Sequence, residues 1–309
     1  MQVETRRQKG YDLIRCTPPQ SRDLVVVLPG NPGIAEYYLE LAKEVAAGLS
    51  GTSVAVVGWL GFSATTEGGP RGTGVVDLES QIQHGRRTLG ELLVTNGSGS
   101  PQRPPRKVAL VGHSIGALVA AEILKAPPSG PIDAVVKVTP FVAANDESPA
   151  YRRKVRLTRA PGVGALVVAF AAVLRWLPPG LRRTLMAAIG QKTSHMNPTA
   201  ATLTVEAMTR PENLRAMLDM GRSEFDSPKI LHGPDLSWIP QHRDKVAVVY
   251  ASGDDHWVRA NAEQLMKQHG VETVTIHSDH DVPTRIDTSK ACAAAIADLL
   301  KKRGVGLGN

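Results

Sequence analysis

Lys107–Gly116, KVALVGHSIG, limits the possible folds of this chain more than any other stretch. Val108–Val111 is a short unbroken apolar run behind two prolines and Arg106, the pattern of a buried strand. Gly112-His113-Ser114-Ile115-Gly116 follows at once, and ALVAAEILKA after it is a helix pattern. A serine between strand and helix sits on a sharp, strained turn, and larger side chains two residues to either side would collide with neighbouring backbone. Such a turn lifts the Ser114 hydroxyl clear of the sheet, at a helix N-terminus whose dipole favours negative charge. The strand–turn–helix setting, more than the bare G-x-S-x-G pattern, marks Ser114 as a candidate nucleophile.

Other segments repeat the β–α alternation. Asp23–Leu28, Ser53–Gly58, Asp133–Val138, Lys245–Tyr250 and Glu272–His277 read as strands, and Glu36–Leu49, Asp77–Val94 and Asp287–Lys302 as helices. Strands alternating with helices predict an α/β fold, a mostly parallel, doubly wound sheet with ligands gathered at the carboxyl ends of its strands. The rhythm stops between Pro140 and about Gln241, where Arg, Pro and helix formers dominate. The expected organisation is therefore a core of residues 1–140 and 242–309 with a helical cap, 141–241, inserted between them.

A serine hydroxyl needs a base, and the base needs an orienting acid. In a strand–turn–helix serine fold the partners follow in the order Ser, acid, His. After Lys245–Tyr250 come Asp254 and Asp255, and Asp255 is preferred because it lies three residues past Ser252, taken as the strand end, with Asp254 as the alternative. After Glu272–His277 comes His280, the expected base. His113, inside the motif, reads as a packing neighbour of the turn. The oxyanion donors are expected to be the backbone N–H of Ile115 and, since Pro32 has none, that of Asn31 in the loop after the first βα strand. No metal-ligand spacing and no phosphate-binding loop is present, so neither a metal nor a cofactor is expected.

The formal charge of +7 invites a nucleic-acid reading, but aromatics make up only 4% of the chain and no nucleic-acid module is visible. Much of the positive charge gathers in the cap instead. Arg152, Arg153, Lys154, Arg156 and Arg159 precede the uncharged run Val163–Leu174, and Trp176, Pro178, Pro179 and Gly180 follow it. Flanking cations and an interfacial tryptophan suit a hairpin that dips into a lipid surface, although a run this short also suits a core helix. Two cysteines far apart in sequence favour a reducing compartment, and neither a signal peptide nor a run long enough to span a bilayer is seen.

Taken together, LPGNPG at Leu28–Gly33, DLESQIQH at Asp77–His84, GHSIG at Gly112–Gly116, DDHW at Asp254–Trp257 and His280 resemble the lipid droplet-associated hydrolase family of the α/β-hydrolase superfamily. The resemblance implies an α/β-hydrolase fold, a triad of Ser114, Asp255 and His280, and a hydrophobic cap element that carries the protein to lipid droplets. Implied partners are a lipid ester, of sterol ester or acylglycerol type, and a droplet or membrane surface. Implied locations are the droplet surface, the cytoplasm or the endoplasmic reticulum membrane face. Two other readings stay open: a catalytically weak surface or tethering protein on a hydrolase fold, and a soluble small-ester or thioester hydrolase.

Overall fold

The computed structural model describes all residues except 9, 64–75, 95–103, 142–144, 146, 190–195, 232–235, 255–260 and 309. The strands are β1 (Gln2–Gln8), β2 (Tyr11–Thr17), β3 (Asp23–Leu28), β4 (Thr52–Val57), β5 (Val108–His113), β6 (Ala134–Val138), β7 (Val246–Ala251) and β8 (Glu272–Ile276). They form one sheet in the order β1-β2-β4-β3-β5-β6-β7-β8. From β4 to β8 every neighbouring pair is parallel, while β1 and β2 are antiparallel additions at one edge. Strand β5 lies near the middle and is buried along its whole length, as the continuous apolar run required.

Helices α1 (Leu39–Gly48), α2 (Leu78–Val94), α3 (Gly116–Lys125), α11 (Ala262–Gln268) and α12 (Ile286–Lys301) belong to the sheet domain. A 3₁₀ turn, Ala35–Tyr38, leads into α1 where the sequence suggested a single helix. Between β6 and β7 the described residues form only helices: α4 (Pro149–Arg159), α5 (Val163–Leu174), α6 (Pro179–Ile189), α7 (Pro198–Met208), α8 (Pro211–Asp226), α9 (Pro228–Leu231) and α10 (Ile239–His242). Helix α8 is central among them, with contacts to α4, α5, α7, α9 and also α2.

Charge hides the N-terminal hairpin from a pattern search. β1 is largely polar, and β2 carries Asp12 and Arg15 among its apolar residues, yet both charged side chains are buried. Cys16 and Cys292 are free and buried.

Candidate active site

Four connections from the carboxyl ends of β3, β5, β7 and β8 meet over the middle of the sheet. Ser114 stands between β5 and α3 with φ of 54°, the left-handed conformation expected of a strained nucleophile turn. Both flanking glycines are forced by close approach. A Cβ on Gly112 would collide with the Gly116 carbonyl and the Ala117 backbone, and one on Gly116 would collide with the carbonyls of Leu28 and Pro29. The motif thus lets the first turn of α3 press against both its own strand and the loop after β3. The Ser114 N–H donates to the Val138 carbonyl at 2.9 Å, which ties the turn to the end of β6.

His280, in the loop after β8, brings Nε2 to 2.8 Å from Ser114 Oγ. Its Nδ1 lies 2.5 Å from Oδ2 of Asp254. A carboxylate can only accept, so Nδ1–H donates to Asp254 and the Nε2 lone pair faces the serine hydroxyl. The aspartate that meets His280 is therefore Asp254, where the sequence pointed first to Asp255; Asp255 lies outside the described residues. Ala251, not Ser252, is the last residue of β7, and the turn closed by Asp254 N–H on the Ala251 carbonyl swings Asp254 inward. The Asp254 side chain is only 1% exposed.

On the other side of Ser114 lies the loop after β3. Ile115 N–H, at the start of α3, and Asn31 N–H, past Gly30, have no backbone or side-chain acceptor among the described residues. The Asn31 side chain is held by the cap, with Nδ2 donating to the Met217 carbonyl at 3.1 Å.

Hydrogen bonds between residues distant in sequence hold these loops. The Gly30 N–H donates to Tyr38 Oη at 2.7 Å, and Tyr38 Oη lies 2.7 Å from His113 Nδ1. His113 Nε2 donates to the His280 carbonyl at 2.8 Å, which leaves Nδ1 as the acceptor of the Tyr38 hydroxyl proton. Burial, and then the neighbouring His280, push the His113 pKa down to about 3, so the ring stays neutral in this role. The histidine read as a packing neighbour is thus a hydrogen-bonded bridge between two site loops.

The DLESQIQH segment has a related structural use. Gln81 accepts from Leu60 N–H through Oε1 at 3.0 Å and donates to the Leu60 carbonyl at 2.9 Å. His84 Nε2 lies 3.0 Å from the Gly58 carbonyl, and burial lowers its pKa to about 4. The backbone they grip carries Trp59, whose Nε1–H is shared between the Pro29 and Gly30 carbonyls, both at 3.0 Å. Helix α2 therefore supports the loop after β3 through one fully buried tryptophan.

Among the described residues, no group of three or more His, Cys, Asp or Glu side chains could hold a metal ion. The chemistry open to the site is that of a hydroxyl held against an imidazole nitrogen, with backbone donors beside it.

The chain matches the family model for lipid-droplet associated hydrolases over residues 21–283. It belongs to that family. The match takes in the loop after β3, the serine turn, the cap and the His280 loop. A Dictyostelium discoideum protein named lipid droplet-associated hydrolase is 29% identical over 125 residues, which cover 40% of this chain and 38% of the relative's length. The fold is that of the α/β-hydrolases. A haloalkane dehalogenase from Bradyrhizobium elkani superposes with a TM-score of 0.66 at 13% identity, covering 98% of this chain and 99% of the other. An epoxide hydrolase variant from Pseudomonas aeruginosa, itself described as putative, gives 0.63 at 16% identity, covering 98% and 97%. At such identities the likeness extends to the fold alone; the reaction has to be argued from the side chains.

The cap element predicted to face lipid is a helix with one covered side. Gly164, Ala171 and Leu174 of α5 are buried, and Gly164 lies against Leu218 and Arg222 of α8. Leu166, Phe170 and Val173, on the opposite face, are exposed, and Trp176 just beyond is 89% exposed. Helix α4 meets α5 at 82° and carries Arg152, Arg153, Lys154 and Arg156 exposed to solvent. No single helix among the described residues is long and apolar enough to cross a membrane.

Proposed function

We propose that this hydrolase-family protein is a serine ester hydrolase that acts on lipid esters, of sterol ester or acylglycerol type, at a lipid droplet surface. The observation that carries the reading is the contact of Ser114 Oγ with His280 Nε2 at 2.8 Å, backed by Asp254 on Nδ1. Ser114 Oγ attacks the ester carbonyl carbon as its proton passes to Nε2, and Asp254 steadies the imidazolium. The negative charge on the carbonyl oxygen is met by the N–H groups of Ile115 and Asn31. His280 returns the proton to the departing alkoxide and leaves an acyl-serine. A water molecule, deprotonated by Nε2, attacks the acyl carbon and releases the fatty acid, and Ser114 takes the proton back.

The cap supports the choice of a lipid surface. Leu166, Phe170, Val173 and Trp176 form one apolar face beside the exposed cations of α4. Burying each such apolar side chain in lipid is worth about 1.5–3 kcal/mol at most. Each cation near an anionic surface adds about 1 kcal/mol.

A fluorophosphonate probe tests the chemistry. Labelling lost in Ser114→Ala is expected; a folded wild-type protein that takes up no label would overturn the assignment. The exposed face of α5 also favours a second reading, a surface or tethering protein whose hydrolase fold does little chemistry. On that reading Ser114→Ala keeps its cellular role and deletion of residues 163–189 abolishes it.

A further inference from the structure

Helix α8 lays one face over the loop after β3. Met217, Gly221 and Glu224, at positions i, i+4 and i+7, share that face. Asn31 Nδ2 donates to the Met217 carbonyl, and a Cβ on Gly221 would stand 3.7 Å from the same nitrogen. Glu224 is 6% exposed, and the Asn31 side chain is the polar neighbour that acts on its carboxyl. Two oxygens are left over: Glu224 Oε1 and Asn31 Oδ1 are both buried without a hydrogen-bond partner among the described residues. A buried acceptor without a donor is costly, and a proton on the Glu224 carboxyl would supply a donor to Asn31 Oδ1.

We propose that Glu224 is a positioning residue for the reaction: its carboxyl and the Asn31 side chain form a two-point acid–amide pair that aims the Asn31 backbone N–H at the oxyanion. In that pair the carboxyl O–H donates to Asn31 Oδ1, while Asn31 Nδ2–H donates to the second carboxyl oxygen. Helix α8 thereby reaches from the cap into the oxyanion loop, so a disturbance of the cap is felt at the reacting carbonyl.

Burial raises the Glu224 pKa to about 8, and the Asn31 hydrogen bond moderates the rise. Charged groups on the elements packed around α8 pair with other residues or, like Arg152, Arg153, Lys154 and Arg156 of α4, are exposed to solvent. Arg159 of α4 pairs with Asp226, Arg222 lies 3.8 Å from Asp219, and Lys229 of α9 pairs with Glu122. Glu206 of α7 and Glu79 of α2 are exposed or partly so, and the titratable groups of the site itself are His280, Asp254 and His113. None of these is among the influences on the Glu224 carboxyl.

The kinetic arm of the test rests on the proposed nucleophile, and the spectroscopic arm does not. In the full-length protein, phosphonylation of Ser114 by a fluorophosphonate is followed for wild type, Glu224→Gln and Glu224→Ala. Loss of one oxyanion donor costs about 100- to 1000-fold, so a misaimed one in Glu224→Ala is expected to slow the maximal labelling rate ~10- to 100-fold, with half-saturation unchanged within about twofold. Glu224→Gln, whose amide also donates to Asn31 Oδ1, keeps the wild-type rate within about threefold at neutral pH. As Glu224 ionises through about pH 8, wild type falls relative to Glu224→Gln.

Independently, infrared difference spectra between wild type and Glu224→Gln are expected to contain a protonated carboxyl band at pH 7. The Asn31 backbone amide resonance shifts in Glu224→Ala and stays in Glu224→Gln. An ionised carboxyl at pH 7, an unmoved Asn31 amide in Glu224→Ala, or a Glu224→Gln rate as low as that of Glu224→Ala overturns the proposal. A wild-type protein that takes no label refutes the proposed chemistry, and the spectra then decide Glu224 alone. If Glu224→Ala does not fold, the pH profile of Glu224→Gln against wild type decides.

Discussion

His113 donates its Nε2–H to the backbone carbonyl of His280 across 2.8 Å. The residue before Ser114 therefore holds the loop of the histidine that faces the Ser114 hydroxyl. Through Nδ1 the same ring reaches Tyr38, and through Tyr38 the N–H of Gly30. One neutral imidazole thus links the nucleophile turn, the base loop and the oxyanion loop, and each bond has a single possible direction.

Replacing Tyr38 by Phe tests that link. It leaves the Gly30 N–H and His113 Nδ1 buried without a partner, at about 1–3 kcal/mol each. Chemical denaturation is expected to detect this loss. The maximal rate of ester hydrolysis is expected to fall ~10-fold or more because the oxyanion loop is released, by comparison with the larger cost of losing a donor outright.

The two adjacent aspartates are separable. Asp254→Asn keeps the shape but favours the wrong imidazole tautomer, a change worth about 10⁴-fold in enzymes with a Ser-His-Asp triad. Asp255→Asn is expected to stay within about threefold of wild type, because Asp254 already occupies His280 Nδ1. Steady-state hydrolysis of a soluble p-nitrophenyl ester distinguishes them; equal losses would contradict the pairing of His280 with Asp254.

Gly116→Ala places a methyl group against the Leu28 and Pro29 carbonyls. Neither backbone group can give way without moving the oxyanion loop. Destabilisation of about 1–3 kcal/mol, with loss of hydrolysis, is expected from thermal unfolding and rate measurements.

Lipid attachment is expected to separate from chemistry. Phe170→Asp with Trp176→Asp removes apolar area from the exposed face of α5 and the turn beyond it. Flotation with oil emulsions or anionic vesicles is expected to fall steeply, while hydrolysis of a soluble ester stays within about twofold. A parallel loss of soluble-ester activity would mean that α5 serves the fold instead.

Acid stability follows from His84 and His113. Both are held neutral by burial, with pKa values near 4 and 3. Between about pH 6.5 and pH 4 the unfolded chain binds protons at these positions and the folded chain does not, so stability falls as pH falls through that window. Denaturant midpoints measured from pH 7 to pH 4 are expected to drop, and His84→Gln is expected to flatten the curve.

Local sequence determined more here than a short motif usually does. Six parallel strands, a helical stretch between β6 and β7, and the meeting of Ser114 with His280 were legible from apolar runs, glycines and chain order, because each depends on residues close in sequence. Tertiary structure alone showed that Asp254 meets His280, since the turn that closes on the Ala251 carbonyl fixes the direction of the chain after β7. It also decided that His113, Tyr38, Trp59, Gln81 and His84 brace the site, and that Glu224 lies over Asn31. Those contacts join residues tens to nearly two hundred positions apart. No periodicity records which buried polar group will face which, because that pairing exists only once the sheet and cap have closed around it.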